Sequence, residues 1–256
     1  MNGAEVPPGA NSGKVIRIAA IADVHCKRNS KQVLKPVFAQ IAEQADILLV
    51  CGDLTHFGLP EEVNVFLEEA APVLGKIPVL AVLGNHDFES GKQDLLWRML
   101  TNAGIIMLDG NDWEIQGIGF TGVKGFGGGF GDRSLQPWGE PAIKNFVKEV
   151  VEEANKLETG LAKLDPGPRI VLLHYSPIRE TVAGEPPEIF PFLGSSRLEE
   201  PLNRFAVTAA FHGHAHRGNC QGKTSADVPV YNVAAAVLKQ HFPEKPPFLL
   251  LEIPLR

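Results

Sequence analysis

Side chains able to bind metal ions or transfer protons follow five apolar segments of the chain, at the point where each segment ends. Asp23 and His25 follow the first segment, and Asp53 follows the second. The other three segments are followed by Asn85-His86-Asp87, by His174, and by His214 with His216. Because open α/β sheets place ligand sites beyond the carboxyl ends of their strands, we expect these side chains to meet at one edge.

This set of residue types predicts a metal centre. Imidazole and carboxylate ligands suit Mn, Fe, Zn, Ni and Co. A single histidine at a strand end is more often a hydrogen-bonding residue than a ligand, so the prediction depends on the whole ordered set. The potential ligands are Asp23, His25, Asp53, Asn85, His174, His214 and His216. Seven are too many for one tetrahedral ion, whereas two ions about 3.5–4 Å apart that share a carboxylate use this number.

The spacing within the pairs agrees with a shared site. Asp23 and His25 are two positions apart, as are His214 and His216. In an extended segment, residues i and i+2 point to the same side. Each pair is therefore expected to direct both side chains at one ion.

The elements that position these residues alternate between strand and helix. Apolar runs at 15–24, 47–53 and 78–84 predict buried strands, and helical spacing at 34–44, 60–74 and 94–103 predicts helices. This β-α-β-α-β-α pattern favours parallel strands with crossover helices. After residue 105 the pattern predicts an antiparallel hairpin that turns at Asp109-Gly110. A helix at 142–164 follows, a short helix lies near 198–205, and strands are predicted at 169–175 and 207–213 and near the end of the chain.

Composition narrows the class of protein. The 256 residues carry 24 Lys and Arg against 30 Asp and Glu, a formal net charge of −6, so the chain lacks the basic footprint of a general nucleic-acid binder. Three cysteines give no disulfide framework. No 18-residue apolar run and no secretory leader are present, which predicts a cytoplasmic protein without a membrane partner.

Residues 1–13 are predicted to be a flexible tail, and 14–256 one domain.

The ordered motifs Asp23-x-His25, Gly52-Asp53, Gly84-Asn85-His86-Asp87, His174 and Gly213-His214-x-His216 resemble those of the calcineurin-like metallophosphoesterase superfamily. The resemblance extends from residue 16 to about 237. Within the superfamily, the compact chain and the segment at 52–56 look most similar to the bacterial cyclic-nucleotide phosphodiesterase (Icc-like) branch. His56 stands where purple acid phosphatases have a metal-binding tyrosine, and Asp87 stands where serine/threonine phosphatases have glutamate. Cys26 departs from the glycine that many relatives have after the first motif.

The resemblance implies a fold and a metal arrangement. The fold is an α/β, four-layer α-β-β-α sandwich in which two mixed β-sheets are flanked by helices. The cofactors are two transition-metal ions, with Mn, Fe or Zn expected. One ion is expected to bind Asp23, His25, Asp53 and His216. The other is expected to bind Asp53, Asn85, His174 and His214.

The resemblance also implies a reaction. A hydroxide that bridges the two ions attacks phosphorus, His86 protonates the leaving oxygen, and Asp87 orients His86. The expected substrate is a phosphodiester, with small or cyclic nucleotides favoured. A phosphomonoesterase, a nucleotide pyrophosphatase, a nuclease and a non-catalytic metal-binding scaffold stay open as alternatives.

Two further residues are candidates for substrate contact. His56 lies three positions after Asp53, and Arg133 ends a glycine-rich segment that includes 124–131. This segment has two interpretations, a flexible connector or a loop whose phenylalanines stack on the substrate. The proline-rich stretch at 185–191 likewise predicts either a substrate rim or a contact in a homodimer.

Overall fold

The computed structural model describes residues 14–255, so the predicted tail at 1–13 lies outside the described residues. The strands are β1 (Val15–Ile21), β2 (Ile47–Cys51), β3 (Val79–Val82), β4 (Ile106–Met107), β5 (Asp112–Ile115), β6 (Ile118–Val123), β7 (Arg169–Leu173), β8 (Ala209–His212), β9 (Gln221–Lys223), β10 (Pro229–Asn232) and β11 (Leu249–Pro254). The helices are α1 (Lys35–Gln44), α2 (Pro60–Ala70), α3 (Gln93–Asn102), α4 (Pro141–Lys163), α5 (Phe190–Leu193), α6 (Glu199–Arg204) and α7 (Ala235–His241).

The strands form two mixed sheets, as predicted. The first sheet has the order β11-β1-β2-β3-β4, in which β1 to β4 are parallel and β11 is antiparallel. The second has the order β5-β6-β7-β8-β10-β9, with four parallel central strands and an antiparallel strand at each edge. The parallel strands of each sheet therefore deliver their carboxyl ends to one edge.

Alternation along the strands creates three apolar layers and hence four structural layers. In β1, Ala19 and Ile21 pack toward the helices on the outer face, while Ile18 and Ala20 pack between the sheets. In β7 of the second sheet, Leu172 joins the same central layer. The other face of β7 packs against α4 and α6. The predicted α-β-β-α sandwich is confirmed.

The predicted hairpin at Asp109-Gly110 is wrong. β4 instead pairs in parallel with β3 in the first sheet, and the chain then crosses to the second sheet. The antiparallel hairpin joins β5 to β6 through Gln116 and Gly117, whose φ angles are 54° and 80°. Two consecutive positive φ angles are what a tight hairpin turn of this twist requires. The apolar run at β4 was close enough in sequence to suggest pairing with β5, but it completes the first sheet.

Three elements were not predicted: the short helix α5, the short edge strand β9 and the helix α7. α5 lies in a proline-rich stretch, and β9 and α7 follow His216, where the sequence has no strong apolar periodicity. Among residues 14–255, no helix combines the length and apolarity needed to cross a bilayer.

Candidate metal centre

Five parallel strands end at one edge, and the predicted ligands lie in the loops that follow them. β1, β2 and β3 of the first sheet lead to Asp23, Asp53 and Asn85, while β7 and β8 of the second lead to His174 and His214. The two sheets are joined directly at this edge, because Ala22 N–H donates to the Val233 carbonyl at 2.9 Å. The loops of both sheets therefore face one another.

The backbone of these loops is not extended, which corrects the expected alternation. β1 ends at Ile21 and β8 ends at His212. Asp23, His25 and His214 then adopt positive φ angles of 55°, 43° and 70°, and Asp53 has 53°. Left-handed backbone at non-glycine residues is costly and is concentrated at functional sites. The side chains converge because the loops turn. Residues two positions apart therefore face the same site because of the turn and not because of an extended backbone.

The first group of converging side chains contains Asp23, His25 and His216. Each offers a ligand atom, and these atoms all lie within 4.8 Å of one another. His216 Nε2 is 3.0 Å from Asp23 Oδ1. Burial opposes ionisation of Asp23, but the His216 hydrogen bond and the neighbouring histidines outweigh it and lower the pKa of Asp23 to about 2.

The second group contains Asp53, His174 and His214, and Asp53 also reaches the first group. Asp53 Oδ1 is 3.4 Å from His174 Nε2, whereas Asp53 Oδ2 is 3.7 Å from His25 Nε2. The single carboxylate thus places one oxygen toward each group. This position is the one that a bridging ligand between two cations requires.

The donor set fits a cation because hydrogen-bond acceptors face one another without a proton between them. His174 Nδ1–H donates to the Cys51 carbonyl at 3.0 Å, which leaves a lone pair on Nε2. That Nε2 lies 2.8 Å from Asn85 Oδ1, and burial holds the pKa of His174 well below its usual value. The neutral Nε2 and the amide oxygen are both acceptors, as is the Asp53 carboxylate once it has lost its proton, and a metal ion satisfies all three together.

His214 is oriented in the same way by a residue that the sequence did not indicate. Its Nε2–H donates to the Phe192 carbonyl at 3.1 Å, so its Nδ1 carries the lone pair. Tyr175 packs on the other side, with ring centroids 4.4 Å apart. Adjacency to His174 was a signal for Tyr175, but nothing local connects Phe192 to His214.

Glycine allows the loops to approach this closely. A Cβ on Gly84 would lie 2.1 Å from Asp53 Oδ1, and one on Gly52 would lie 2.3 Å from His174 Nδ1. Gly52 also has a φ of 88°, which favours glycine. Both glycines of these motifs therefore make room for the side chains that carry the site.

His86 lies at the mouth of the site, with one ring nitrogen anchored. Its Nδ1–H donates to the His56 backbone carbonyl at 2.7 Å, and its ring centroid is 4.6 Å from that of His25. His86 N–H also donates to Asp53 Oδ1 at 2.9 Å. Because Nδ1 is the donor, Nε2 is the atom left to exchange a proton with a substrate.

The expected contact between Asp87 and His86 is wrong. Asp87 is fully buried and accepts four hydrogen bonds from the loops around it. Its donors are Gly84 N–H at 2.8 Å, Leu54 N–H at 3.2 Å, Thr55 N–H at 2.9 Å and the Thr55 hydroxyl at 2.6 Å. Asp87 therefore ties the loop after β2 to the loop after β3, and a backbone carbonyl orients His86 in its place.

Of the two predicted substrate contacts, one lies in the site. His56 forms a cluster with His25 and His86, and the His56 and His86 rings are stacked with centroids 5.6 Å apart. Arg133 is exposed in a short 3-10 turn, and no ion pair or hydrogen bond links it to the described site residues. The glycine-rich segment is packed rather than open, since Phe126 lies against Phe146 with centroids 4.8 Å apart.

Comparison with known proteins agrees with this geometry. A family model of calcineurin-like phosphoesterases matches residues 16–218. The chain therefore belongs to the calcineurin-like phosphoesterase family, whose members depend on a dinuclear metal centre, and the His/Asp groups described above are candidate metal sites. A protein of Methanocaldococcus jannaschii described as uncharacterized is 27% identical over 224 residues, which is 85% of this chain and 88% of that protein.

Solved structures share the fold at low identity. Phosphopantetheinyl hydrolase from Mycobacterium tuberculosis superposes with a TM-score of 0.64 at 17% identity, over 91% of this chain and 95% of that one. GAP50, the anchor in the inner membrane complex of Plasmodium, superposes with a TM-score of 0.55 at 16% identity, over 88% of this chain and 73% of that one. The same fold therefore occurs in a hydrolase and in an anchor protein, so the function has to be argued from the residues of the site.

Replacing Asp87 is expected to destabilise the whole loop region. Asp87→Ala leaves three buried N–H groups and one hydroxyl without their acceptor, so we expect the free energy of unfolding to fall by about 3 kcal/mol. Urea unfolding measures the change, with Asp94→Ala at an exposed position as the control. Equal stability of the two variants would contradict the structural role of Asp87.

The metal-free protein is expected to lose stability as pH rises. Burial, together with the charges of Asp23 and Asp87, raises the pKa of Asp53 to about 9. The folded state therefore holds a proton that the unfolded chain has already lost, and the free energy of unfolding should fall by roughly 1 kcal/mol per pH unit between about pH 7 and 8.5. Asp53→Asn should flatten this slope in urea titrations of chelator-treated protein. An unchanged slope in the variant would show that Asp53 is ionised throughout the range.

Proposed function

We propose that this chain is a metal-dependent phosphoesterase that hydrolyses phosphodiesters with two transition-metal ions. The observation that carries the proposal is the position of Asp53, with one carboxylate oxygen toward each group of ligands. The first ion would be held by Asp23, His25, Asp53 and His216. The second would be held by Asp53, Asn85, His174 and His214. When bound, such a pair of ions polarises the phosphoryl oxygens and lowers the pKa of a water between them.

The chain's own residues supply the remaining steps. The His174 and His214 tautomers direct their lone pairs into the site and preorganise it for the ions. His86 Nε2 is the proton donor proposed for the oxygen that leaves phosphorus, since Nδ1 is already engaged by the His56 carbonyl. The proposed role of His56 is to present that carbonyl and to line the approach to His86.

The charge around the site favours a diester over a monoester. In the part of the chain that the structure describes, no lysine or arginine forms an ion pair or hydrogen bond with His86 or with the seven proposed ligands. A monoester dianion carries one more charge than a diester anion and gains more from such a cation. Because no such cation is bonded directly to these residues, we expect the singly charged diester to be preferred.

The first test compares matched chromogenic esters. Protein stripped of metal and reloaded with Mn²⁺ should hydrolyse bis(p-nitrophenyl) phosphate with a kcat/KM at least tenfold above that for p-nitrophenyl phosphate. His214→Ala should abolish turnover, whereas His241→Ala, an exposed histidine of α7, should retain it. Higher turnover of the monoester would overturn the diester preference, and no turnover of either ester would overturn the proposed activity.

A second prediction isolates His86. His86→Asn should bind the same amount of metal as the wild type but lower kcat by about 100-fold or more for an ester with an alkoxide leaving group. The loss should be much smaller for p-nitrophenolate, which leaves without a proton. Steady-state kinetics on the two esters, with metal content measured in the same samples, provides the comparison. Equal losses on both esters would rule out proton donation by His86.

A further inference from the structure

The glycine-rich segment and the proline-rich stretch, whose roles the sequence leaves open, meet beside the metal centre. The proline-rich stretch leads into α5, a helix of four residues. Just after α5, one isolated β-bridge pairs Ser195 with Gly129 of the glycine-rich segment. A second bridge pairs Gly194 with Ser176, in the loop that follows His174. The end of α5 is therefore held from two sides.

Three consecutive carbonyls of α5 each accept a hydrogen bond from a different part of the chain. The carbonyls at the end of a helix lack partners within it, and in a single turn these are most of the carbonyls. The Pro191 carbonyl accepts from Gly128 N–H at 2.6 Å, and the Leu193 carbonyl accepts at 3.0 Å from the loop after β7. The Phe192 carbonyl between them accepts from His214 Nε2–H at 3.1 Å. The carbonyl that orients His214 is thus fixed by a bond on either side of it.

Close approach to α5 requires glycine in the glycine-rich segment. A Cβ on Gly127 would collide with the Pro191 carbonyl oxygen and would lie 3.2 Å from Phe192 Cα. The φ angle of Gly127 lies outside the left-handed region, so the missing side chain is what matters at this position. A Cβ on Gly194 would likewise collide with the backbone of the loop after β7. A side chain at either position would push α5 and, with it, the carbonyl bound to His214.

His214 depends on that carbonyl for its tautomer. A neutral imidazole carries one ring proton on either nitrogen, and the hydrogen bonds around it select which one. Among residues 14–255, the Phe192 carbonyl is the hydrogen-bond partner of the His214 ring, and it accepts from Nε2. A shift of α5 would therefore free the proton to move to Nδ1, the nitrogen that is needed for a cation.

We infer that the glycine-rich segment is a positioning element of the metal centre. Through Gly128 and Gly129 it holds the end of α5, and the Phe192 carbonyl then keeps the His214 proton on Nε2. This role differs from both interpretations of the segment, a flexible connector and a loop that stacks on the substrate. The inference rests on the proposed function for the role of His214 as a ligand, but the tautomer itself involves neither an ion nor turnover.

The position of the ring proton tests the inference directly. Two-bond ¹H–¹⁵N correlation spectra of metal-free protein at about pH 8, where histidine is neutral, show which ring nitrogen carries the proton. The wild type should show Nε2–H at His214, with the signals assigned by their loss in His214→Ala. In Gly127→Ala the ratio of Nε2–H to Nδ1–H should fall about fivefold, because the acceptor is displaced.

Gly160→Ala is the matched control. Its Cβ would collide with Thr121 Oγ1 where α4 packs on β6, so this variant also introduces a buried clash. It should leave the tautomer ratio of His214 unchanged. The inference is overturned if Gly127→Ala keeps the wild-type ratio, or if Gly160→Ala changes the ratio as much.

Hydrogen exchange of the wild type tests the same contact without a substitution, and it decides the matter if Gly127→Ala does not fold. The amide of Gly128 should exchange about 100-fold more slowly than that of Gly139, a glycine in an exposed loop. Equal exchange at the two glycines would mean that the bond to Pro191 is open most of the time, and the inference would fail.

Binding of Mn²⁺ separates this inference from the proposed function. In calorimetric titrations Gly127→Ala should bind one of two ions about tenfold more weakly than the wild type and the other equally well. Equal affinities of the two proteins for both ions would overturn the positioning role. A wild type that binds no Mn²⁺ would overturn the proposed function, whereas the tautomer ratio would still decide whether the glycine-rich segment orients His214.

Discussion

Three buried carboxylates cross-link the loops of this site through backbone N–H groups. Asp23 accepts from His214 N–H at 3.0 Å, Asp53 from His86 N–H at 2.9 Å, and Asp87 from Thr55 N–H at 2.9 Å. Each bond joins the loop after one strand to another part of the same edge. Removing such acceptors from water is costly, and fixed backbone donors offset part of that cost. Some acceptors still face one another at the centre of the site, and a cation bound there would offset the rest of this cost.

The packing of the two sheets brings these acceptors together. Their shared apolar layer, which includes Phe120 and Phe211, holds the sheets face to face, so loops from both reach the same point. The loops then need left-handed backbone at ligand positions such as Asp53, and they need glycine at positions such as Gly84 where a Cβ would strike the site. Packing elsewhere in the sandwich stabilises the fold against this local strain.

The same fold carries different functions in its structural relatives, so the chemistry depends on individual side chains. Here the tautomers of His174 and His214 are set by the carbonyls of Cys51 and Phe192. These carbonyls lie outside any ligand motif, yet they decide which nitrogen faces the centre.

The sequence by itself determined the parallel strands, the helices between them and the polar residues at the strand ends, because apolar period and motif adjacency are local properties. It therefore predicted that Asp53 and His174 share one edge. Tertiary structure alone decided that Asp87 binds Thr55, 32 positions away, and that Phe192 orients His214, 22 positions away. It also decided that β4 joins the first sheet rather than a hairpin. These contacts depend on how loops from two packed sheets meet, which no periodicity within a single segment encodes.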